Sequence, residues 1–105
     1  MPLKIIWSDF AENQLDKIFE YYCENASLRI AKNLLQKIIA EPNKLLKSPD
    51  IGQIENNLQN REDDYRYLVF KNYKIIYAID NERNLIKIAD VFDTRQNPIK
   101  IKRVK

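Results

Sequence analysis

The 105-residue chain contains no histidine, one glycine and one cysteine. Without histidine, the Ser-His-Asp and Cys-His arrangements of nucleophilic enzymes are excluded, as are the common zinc sites, which need histidine or several cysteines. A single glycine excludes the glycine-rich loops that hold nucleotide phosphates. We therefore expect neither a nucleotide cofactor nor a bound metal.

The scarcity of cysteine and of long apolar runs indicates where the protein acts. Cys23 cannot form an internal disulfide, and its position on a predicted helix favours a half-buried thiol over a nucleophile. No apolar run approaches the ~18 residues that span a bilayer, and the N-terminus lacks the features of a signal peptide. The sequence predicts a cytoplasmic protein with no membrane partner.

Length and composition predict one globular domain. Hydrophobic residues make up 45% of the chain and charged residues 31%, which is ordinary for a folded protein. A chain of 105 residues can bury one modest core but not two. We expect a single domain over residues 1–105, in which residues 99–105 form a basic C-terminal tail.

The net charge of +3 is unevenly distributed. All 15 acidic residues lie at or before Asp93, whereas five of the 18 lysine and arginine residues lie between Arg95 and Lys105. A local cluster of cations attracts a phosphate-rich or acidic partner. A solvated terminus that keeps the protein soluble would have the same composition, so both interpretations stay open.

Apolar residues at three- and four-residue spacing predict two helices, which begin after the N-caps Ser8 and Ser27. We expect an antiparallel hairpin whose apolar faces are buried against a sheet. Pro42 should end or kink the second helix because it lacks an N–H group. The two apolar faces comprise Leu15, Ile18, Phe19 and Tyr22 on the first helix and Leu34, Leu35, Ile38 and Ile39 on the second.

Alternating apolar and β-branched residues predict strands at both ends of the chain. The first covers residues 3–7, and residues 65–98 contain three more, joined by turns at 71–72 and 80–84. The polar segment 48–64 is predicted to be a long loop. Within it, Gly52 should adopt a turn conformation, and Ile51, Ile54 and Leu58 should contact the core.

Three short motifs occur in a fixed order along the chain. A Trp-Ser helix start with Ala11 and Leu15 comes first, a Pro-x-Ile-Gly turn at residues 49–52 follows, and a tyrosine-rich hairpin covers residues 65–77. Together they resemble the RelE/ParE superfamily of toxins from type II toxin–antitoxin systems. The resemblance implies an α+β fold, with an N-terminal strand and an antiparallel two-helix hairpin packed on a largely antiparallel four-stranded sheet.

The resemblance also implies the function. We expect the toxin component of a type II toxin–antitoxin system, arresting growth by ribosome-dependent mRNA cleavage as an endoribonuclease. The alternative is a ParE-like inhibitor of DNA gyrase with no catalytic residues, and a second alternative is a non-toxic interaction module or inactive family member. The expected partners are an antitoxin encoded adjacently and either the ribosome with mRNA or DNA gyrase.

The ribonuclease hypothesis assigns catalytic work to cations. By resemblance, Arg66 and Lys74 would hold phosphates and Arg95 would stabilise the transition state. Leu68 occupies a position where such enzymes often have lysine, and no histidine or tyrosine follows Arg95 to act as acid or base.

Further residues are assigned to nucleic-acid or target binding. The tyrosines among them would stack on bases. In a gyrase inhibitor, Arg95 and the tail would form the binding surface. The assigned residues are Tyr65, Lys71, Tyr73, Tyr77, Lys100, Lys102 and Arg103.

Overall fold

Two helices and five strands make up the regular structure of the computed structural model, which describes residues 2–104. Lys105, counted in the predicted tail, lies outside the described residues. The helices are α1 (Asp9–Asn25) and α2 (Leu28–Ala40). The strands are β1 (Lys4–Trp7), β2 (Gln53–Ile54), β3 (Tyr65–Phe70), β4 (Tyr73–Asp80) and β5 (Leu85–Asp93). Short 3₁₀ helices cover Glu41–Leu46, Pro49–Ile51, Asn56–Leu58 and Pro98–Arg103.

The strands form one sheet in the order β1-β5-β4-β3-β2. β1 runs parallel to β5, and all other neighbours are antiparallel. The predicted α+β fold is therefore confirmed, with five strands in place of four. The additional strand is β2, a two-residue strand inside the predicted loop that pairs with Arg66 and Tyr67 of β3.

Both helices begin where the sequence predicts. The hydroxyl of Ser8 accepts a hydrogen bond from the backbone N–H of Ala11, and that of Ser27 accepts one from Ile30. Such caps satisfy backbone donors that have no partner within the helix. α2 ends at Ala40, and Pro42 lies in the following 3₁₀ helix, as its missing N–H group predicts.

The sheet is covered on both faces, and each face has its own apolar core. On one face, Leu15, Leu34 and Ile38 of the helices pack against β4 and β5. On the opposite face, Leu58, Ile101 and Val104 cover the sheet. Residues 98–104 are thus part of the fold, so of the two interpretations left open for the basic tail, a solvated terminus does not describe them: Ile101 and Val104 are buried because they complete the second core.

One residue predicted to lie on a buried helix face is exposed. Ile38 is fully buried, and Leu35 is half-buried against the core, but Ile39 is 44% exposed. Consecutive helical residues point about 100° apart. Ile38 lies at the centre of the buried face, so Ile39 lies beyond the edge of that face. The helix hairpin itself is as predicted.

The segment 48–58 also differs from the prediction. Leu58 is buried as expected, but Ile51 and Ile54 are 51% and 57% exposed. Gly52 has an ordinary φ of −69°, so the expected turn conformation is wrong. Glycine is needed there for space, because a Cβ atom would overlap the Tyr77 hydroxyl, which accepts a hydrogen bond from Gly52 N–H and donates one to the Pro49 carbonyl.

Cys23 is half-buried, as predicted. Neither α1 nor α2 combines the length and the apolar content that crossing a bilayer would require, and this holds for every helix in residues 2–104.

The contrast between two neighbouring isoleucines tests the placement of α2. Ile38→Ala should lower the free energy of unfolding by about 2–5 kcal/mol because it leaves a cavity between helix and sheet. Ile39→Ala should change it by less than about 1 kcal/mol. Urea unfolding of both variants measures the difference. Equal losses would contradict the placement of this face.

Candidate functional site

The three cations predicted to be catalytic lie in three separate places. Arg66 pairs in register with Tyr77, whose ring belongs to the core on the helix face. Lys74 pairs with Phe92, which belongs to the core on the opposite face. Residues paired across a sheet share a face, and neighbours along a strand alternate. Arg66 and Lys74 therefore project from opposite faces, and Arg95 follows the end of β5.

Arg66 holds the segment around β2. Its Nη1 atom donates to the carbonyl oxygen of Gly52 at 2.9 Å and, more weakly, to that of Asp50 at 3.4 Å. Together with the Tyr77 hydroxyl, which binds Gly52 N–H and the Pro49 carbonyl, it fastens residues 49–52 to the sheet. The guanidinium group is engaged in the fold in this conformation.

Lys74 is neutralised by a buried carboxylate. Its Nζ atom lies 2.8 Å from Oε1 of Glu55, whose side chain is only 2% exposed. The ammonium group also lies 4.2 Å from the centre of the Tyr67 ring, a cation–π arrangement. The other oxygen of Glu55 accepts a hydrogen bond from Asn57 N–H and so caps the start of the 3₁₀ helix Asn56–Leu58. Lys74 therefore secures this helix to the sheet.

Arg95 is the most accessible of the three, with a side chain 63% exposed. Its hydrogen bonds to the Asp93 carboxylate include Nε to Oδ1 at 3.0 Å and Nη2 to Oδ2 at 2.7 Å. These hydrogen bonds lower the pKa of the Asp93 carboxyl to about 2. Asn72 donates a further hydrogen bond to Oδ1 at 3.2 Å. Asp93 thus stays ionised and holds the guanidinium at the edge of the sheet.

A hollow of about 240 Å³ lies beside Arg95, between α1 and the end of β5. We call it the Arg95 hollow. Burial, and to a lesser extent interaction with Tyr22, raises the pKa of the Tyr73 hydroxyl well above its ordinary value. The residues that line the Arg95 hollow are Gln14, Lys17, Ile18, Tyr21, Tyr73, Val91, Asp93, Arg95 and Gln96.

The tyrosines expected to stack on bases belong to the two cores. Tyr77 is fully buried, Tyr73 is almost so, and Tyr65 is buried on the opposite face. Their rings therefore offer no open face to a base, which corrects the expected stacking role. Every second residue of a strand lies on the same face, so Tyr73, Ile75 and Tyr77 share one face. This apolar pattern indicates core positions.

The sequence reasoning missed an accessible aromatic residue beside the Arg95 hollow. Tyr21 is 49% exposed and packs edge-on against Tyr22, with ring centres 5.2 Å apart. Its position on α1, just outside the apolar stripe of Ile18 and Tyr22, is a signal that could have identified it.

Arg103 belongs to a structural ion pair in the C-terminal segment. Its guanidinium contacts both oxygens of the fully buried Asp90, at 2.9 and 3.0 Å. The rings of Phe10 and Phe92 lie 5.2 and 5.3 Å from it. The guanidinium of Arg61 donates to the Val104 and Lys102 carbonyls and so holds the same segment. Arg103 is thus not available as a free target-binding cation.

The remaining predicted binding residues, Lys71, Lys100 and Lys102, are exposed. Lys71 lies in the β3–β4 turn, on the side of the Arg95 hollow, while Lys100 and Lys102 lie on the C-terminal 3₁₀ helix. Within residues 2–104 there is no cluster of three or more cysteine, aspartate or glutamate side chains arranged to hold a metal ion.

Comparisons with known proteins place the chain in context. Residues 5–98 match a family model described as the ParE toxin of the type II toxin–antitoxin system parDE. A comparison with curated protein sequences finds no match.

Solved structures with the same fold come from toxin–antitoxin systems. A chromosomal ParDE system from P. aeruginosa has a TM-score of 0.71 at 16% identity, over 87% of this chain and 95% of that one. The toxin–antitoxin complex RelBE2 from Mycobacterium tuberculosis has a TM-score of 0.62 at 18% identity, over 89% and 99%. A mutant of the E. coli toxin RelE in the free state has a TM-score of 0.52 at 18% identity, over the full length of both chains.

The Asp90–Arg103 pair can be tested by removing one or both partners. Arg103→Met should lower the free energy of unfolding by about 3–5 kcal/mol, because the buried Asp90 carboxylate loses its counter-ion. The double variant Asp90→Asn/Arg103→Met should recover part of this loss, since no uncompensated charge remains.

Lys102→Met is the matched control, because this exposed cation on the same segment should change stability by less than about 0.5 kcal/mol. Denaturant unfolding compares the variants. A mild effect of Arg103→Met would show that the pair does not hold the segment in solution.

Proposed function

The chain belongs to the ParE toxin family of type II toxin–antitoxin systems, and we propose that it arrests growth by binding and inhibiting DNA gyrase, with no catalytic residue of its own. This is the activity that resemblance to ParE-like members implies. Ribosome-dependent mRNA cleavage, the activity implied by RelE-like members, is the competing function, and the geometry supports it less well.

The separation of the three predicted catalytic cations carries this proposal. Phosphodiester cleavage needs donors that converge on one phosphate and on the charge that develops there. Here Arg66 and Lys74 project from opposite faces of the sheet, and Arg95 lies at its end. A single phosphate cannot be reached by all three in this fold.

The partners of the cations weaken the ribonuclease hypothesis further. Lys74 is paired with buried Glu55, and Arg95 with Asp93, so part of each positive charge is already neutralised. General acid–base catalysis contributes about 10²–10⁴-fold, and residues 96–104 supply no side chain suited to it near neutral pH. A protein that acts by binding needs neither feature.

Two assays on one preparation test the proposal. Purified toxin should inhibit supercoiling by DNA gyrase, and the inhibition should weaken as salt rises because exposed cations contribute to binding. The same preparation should leave ribosome-bound mRNA intact. Site-specific cleavage of ribosome-bound mRNA with normal supercoiling would overturn the proposal in favour of the endoribonuclease.

A neutralising antitoxin encoded next to this gene is the second partner we propose. The solved structures of similar fold include a toxin–antitoxin complex and a ParDE system. In this chain, β1 lies at the edge of the described sheet, where its outer backbone groups can accept an added strand. Beside it lies a largely apolar hollow of about 270 Å³, suited to the apolar face of an amphipathic segment. Its lining residues are Trp7, Leu15, Leu35 and Ile39, with Glu12 and Asp16.

Co-expression tests this partner. The adjacent gene product should relieve growth arrest and co-purify with the toxin. Ile39→Asp should weaken co-purification about tenfold or more, because it places a charge at the rim of the apolar hollow. Ile51→Asp is the control, since Ile51 is similarly exposed but lies outside this hollow. A toxin that is harmless alone and binds no neighbouring product would contradict the assignment.

A further inference from the structure

A second hollow adjoins the Arg95 hollow at the same end of the molecule. It measures about 130 Å³ and lies between α2 and the β3–β4 turn. We call it the Lys71 hollow. Tyr73 lines both hollows, so its side chain forms the ridge between them. The residues that line the Lys71 hollow are Tyr22, Ile30, Asn33, Leu34, Lys37, Lys71, Asn72 and Tyr73.

The two hollows have a strong excess of positive charge. Lys17 and Arg95 line the first, and Lys37 and Lys71 line the second. Among the lining residues of both, Asp93 is the one acid, and it is paired with Arg95, so the three lysines carry the excess of positive charge. The hollows therefore favour an acidic occupant.

The backbone at Lys71 is a second observation at this site. Lys71 has a φ of 53°, and within residues 2–104 it shares a positive φ among non-glycine residues only with Asn84. Glycine and asparagine adopt this left-handed conformation readily, whereas lysine does so at a cost. A two-residue hairpin turn requires a positive φ at its first central residue, so the turn between Phe70 and Tyr73 imposes this conformation. Here the strained residue presents an exposed ammonium group at the rim of a hollow.

The walls between the cations are partly apolar, with Gln14, Gln96, Asn33 and Asn72 among their polar residues. Ile18 and Val91 line the Arg95 hollow, and Ile30 and Leu34 line the Lys71 hollow. Recesses of 130 and 240 Å³ accommodate side chains, whereas the phosphate backbone of duplex DNA is contacted by cations spread over an open surface. The surface therefore suits carboxylates that alternate with apolar side chains.

We propose that the Arg95 and Lys71 hollows together dock an acidic, partly apolar segment of the protein that this toxin inhibits. The carboxylates of the segment contact Lys17, Lys37, Lys71 and Arg95, and its apolar side chains enter the two recesses on either side of the tyrosine ridge. This inference rests on the proposed inhibition of DNA gyrase and names the surface that carries it. It moves the target-binding surface away from the C-terminal segment, where Lys100 and Lys102 lie.

Paired charge reversals test the surface. Lys37→Glu/Lys71→Glu should raise the toxin concentration needed for half-inhibition of supercoiling about tenfold or more, because two attractive contacts become repulsive. Lys100→Glu/Lys102→Glu makes the same change in net charge on the C-terminal 3₁₀ helix and should alter it by less than about threefold. Loss of inhibition only in the second pair would overturn the inference in favour of the C-terminal segment.

Lys71→Gly separates binding from folding. Glycine relieves the positive φ, so the thermal midpoint should stay equal or rise, while inhibition should weaken about threefold or more because one cation is lost. A variant that unfolds at a lower temperature would contradict the backbone argument. A variant that is as stable and as inhibitory as the wild type would contradict the role of Lys71.

Chemical cross-linking identifies the occupant directly. A zero-length carbodiimide reagent, applied to the wild-type toxin and purified gyrase without DNA, should join Lys37 or Lys71 to an aspartate or glutamate of gyrase, mapped by mass spectrometry. Cross-links from Lys100 or Lys102 alone would overturn the proposal. A control measures binding to a DNA duplex without gyrase. If the wild-type toxin binds this duplex and Lys37→Glu/Lys71→Glu does not, the occupant is DNA, which also overturns the proposal.

The proposed function and the proposed docking site can be contradicted separately. A wild-type toxin that leaves supercoiling unaffected overturns the proposed function and this docking site with it. Wild-type inhibition that both charge-reversed pairs retain equally overturns the docking site alone.

Discussion

The burial of β4 on both of its faces is the constraint on which the rest of the structure depends. Residues 73 and 75–78 of this strand are all buried, because helices cover one face of the sheet and 3₁₀ helices cover the other. A strand in this position cannot present a row of side chains to a ligand. Its tyrosines become core residues, and Lys74, the charged residue among them, requires a carboxylate partner within the protein.

The second face of the sheet is closed by two ion pairs that resemble each other. Glu55–Lys74 fastens the segment around Asn56–Leu58, and Asp90–Arg103 fastens the C-terminal 3₁₀ helix. In both pairs the carboxylate is buried and the cation is partly exposed. Buried ion pairs contribute little net stability compared with apolar packing, but breaking one leaves an uncompensated charge. They therefore define where these two segments lie.

These pairs determine which cations can act on another molecule. Lys74 and Arg103 are used to hold the fold, and Arg66 holds the segment that precedes β2. Four exposed cations instead line the two hollows where α1, α2, the β3–β4 turn and the end of β5 meet: Lys17, Lys37, Lys71 and Arg95. A toxin built in this way presents a shaped, positively charged surface, which suits inhibition by binding better than cleavage of a phosphodiester.

The sequence by itself determined the two helices and the longer strands of this protein. Helix starts at Ser8 and Ser27, the end of α2 near Pro42, and the strands of residues 65–93 follow from local capping, proline geometry and alternation, which act over a few residues. The α+β class and the toxin family follow from the order of these elements and motifs. The half-buried state of Cys23 follows from its helix position.

Only the tertiary structure decided which face each charge occupies and which partner it meets. Arg66 and Lys74 are eight residues apart in the sequence, but the turn between β3 and β4 sends them to opposite faces. Asp90 and Arg103 meet because residues 98–104 fold back over the sheet. Position 52 requires glycine because the Tyr77 side chain, 25 residues away, lies against it. Such contacts join residues that are distant in the chain, so composition and periodicity cannot reveal them.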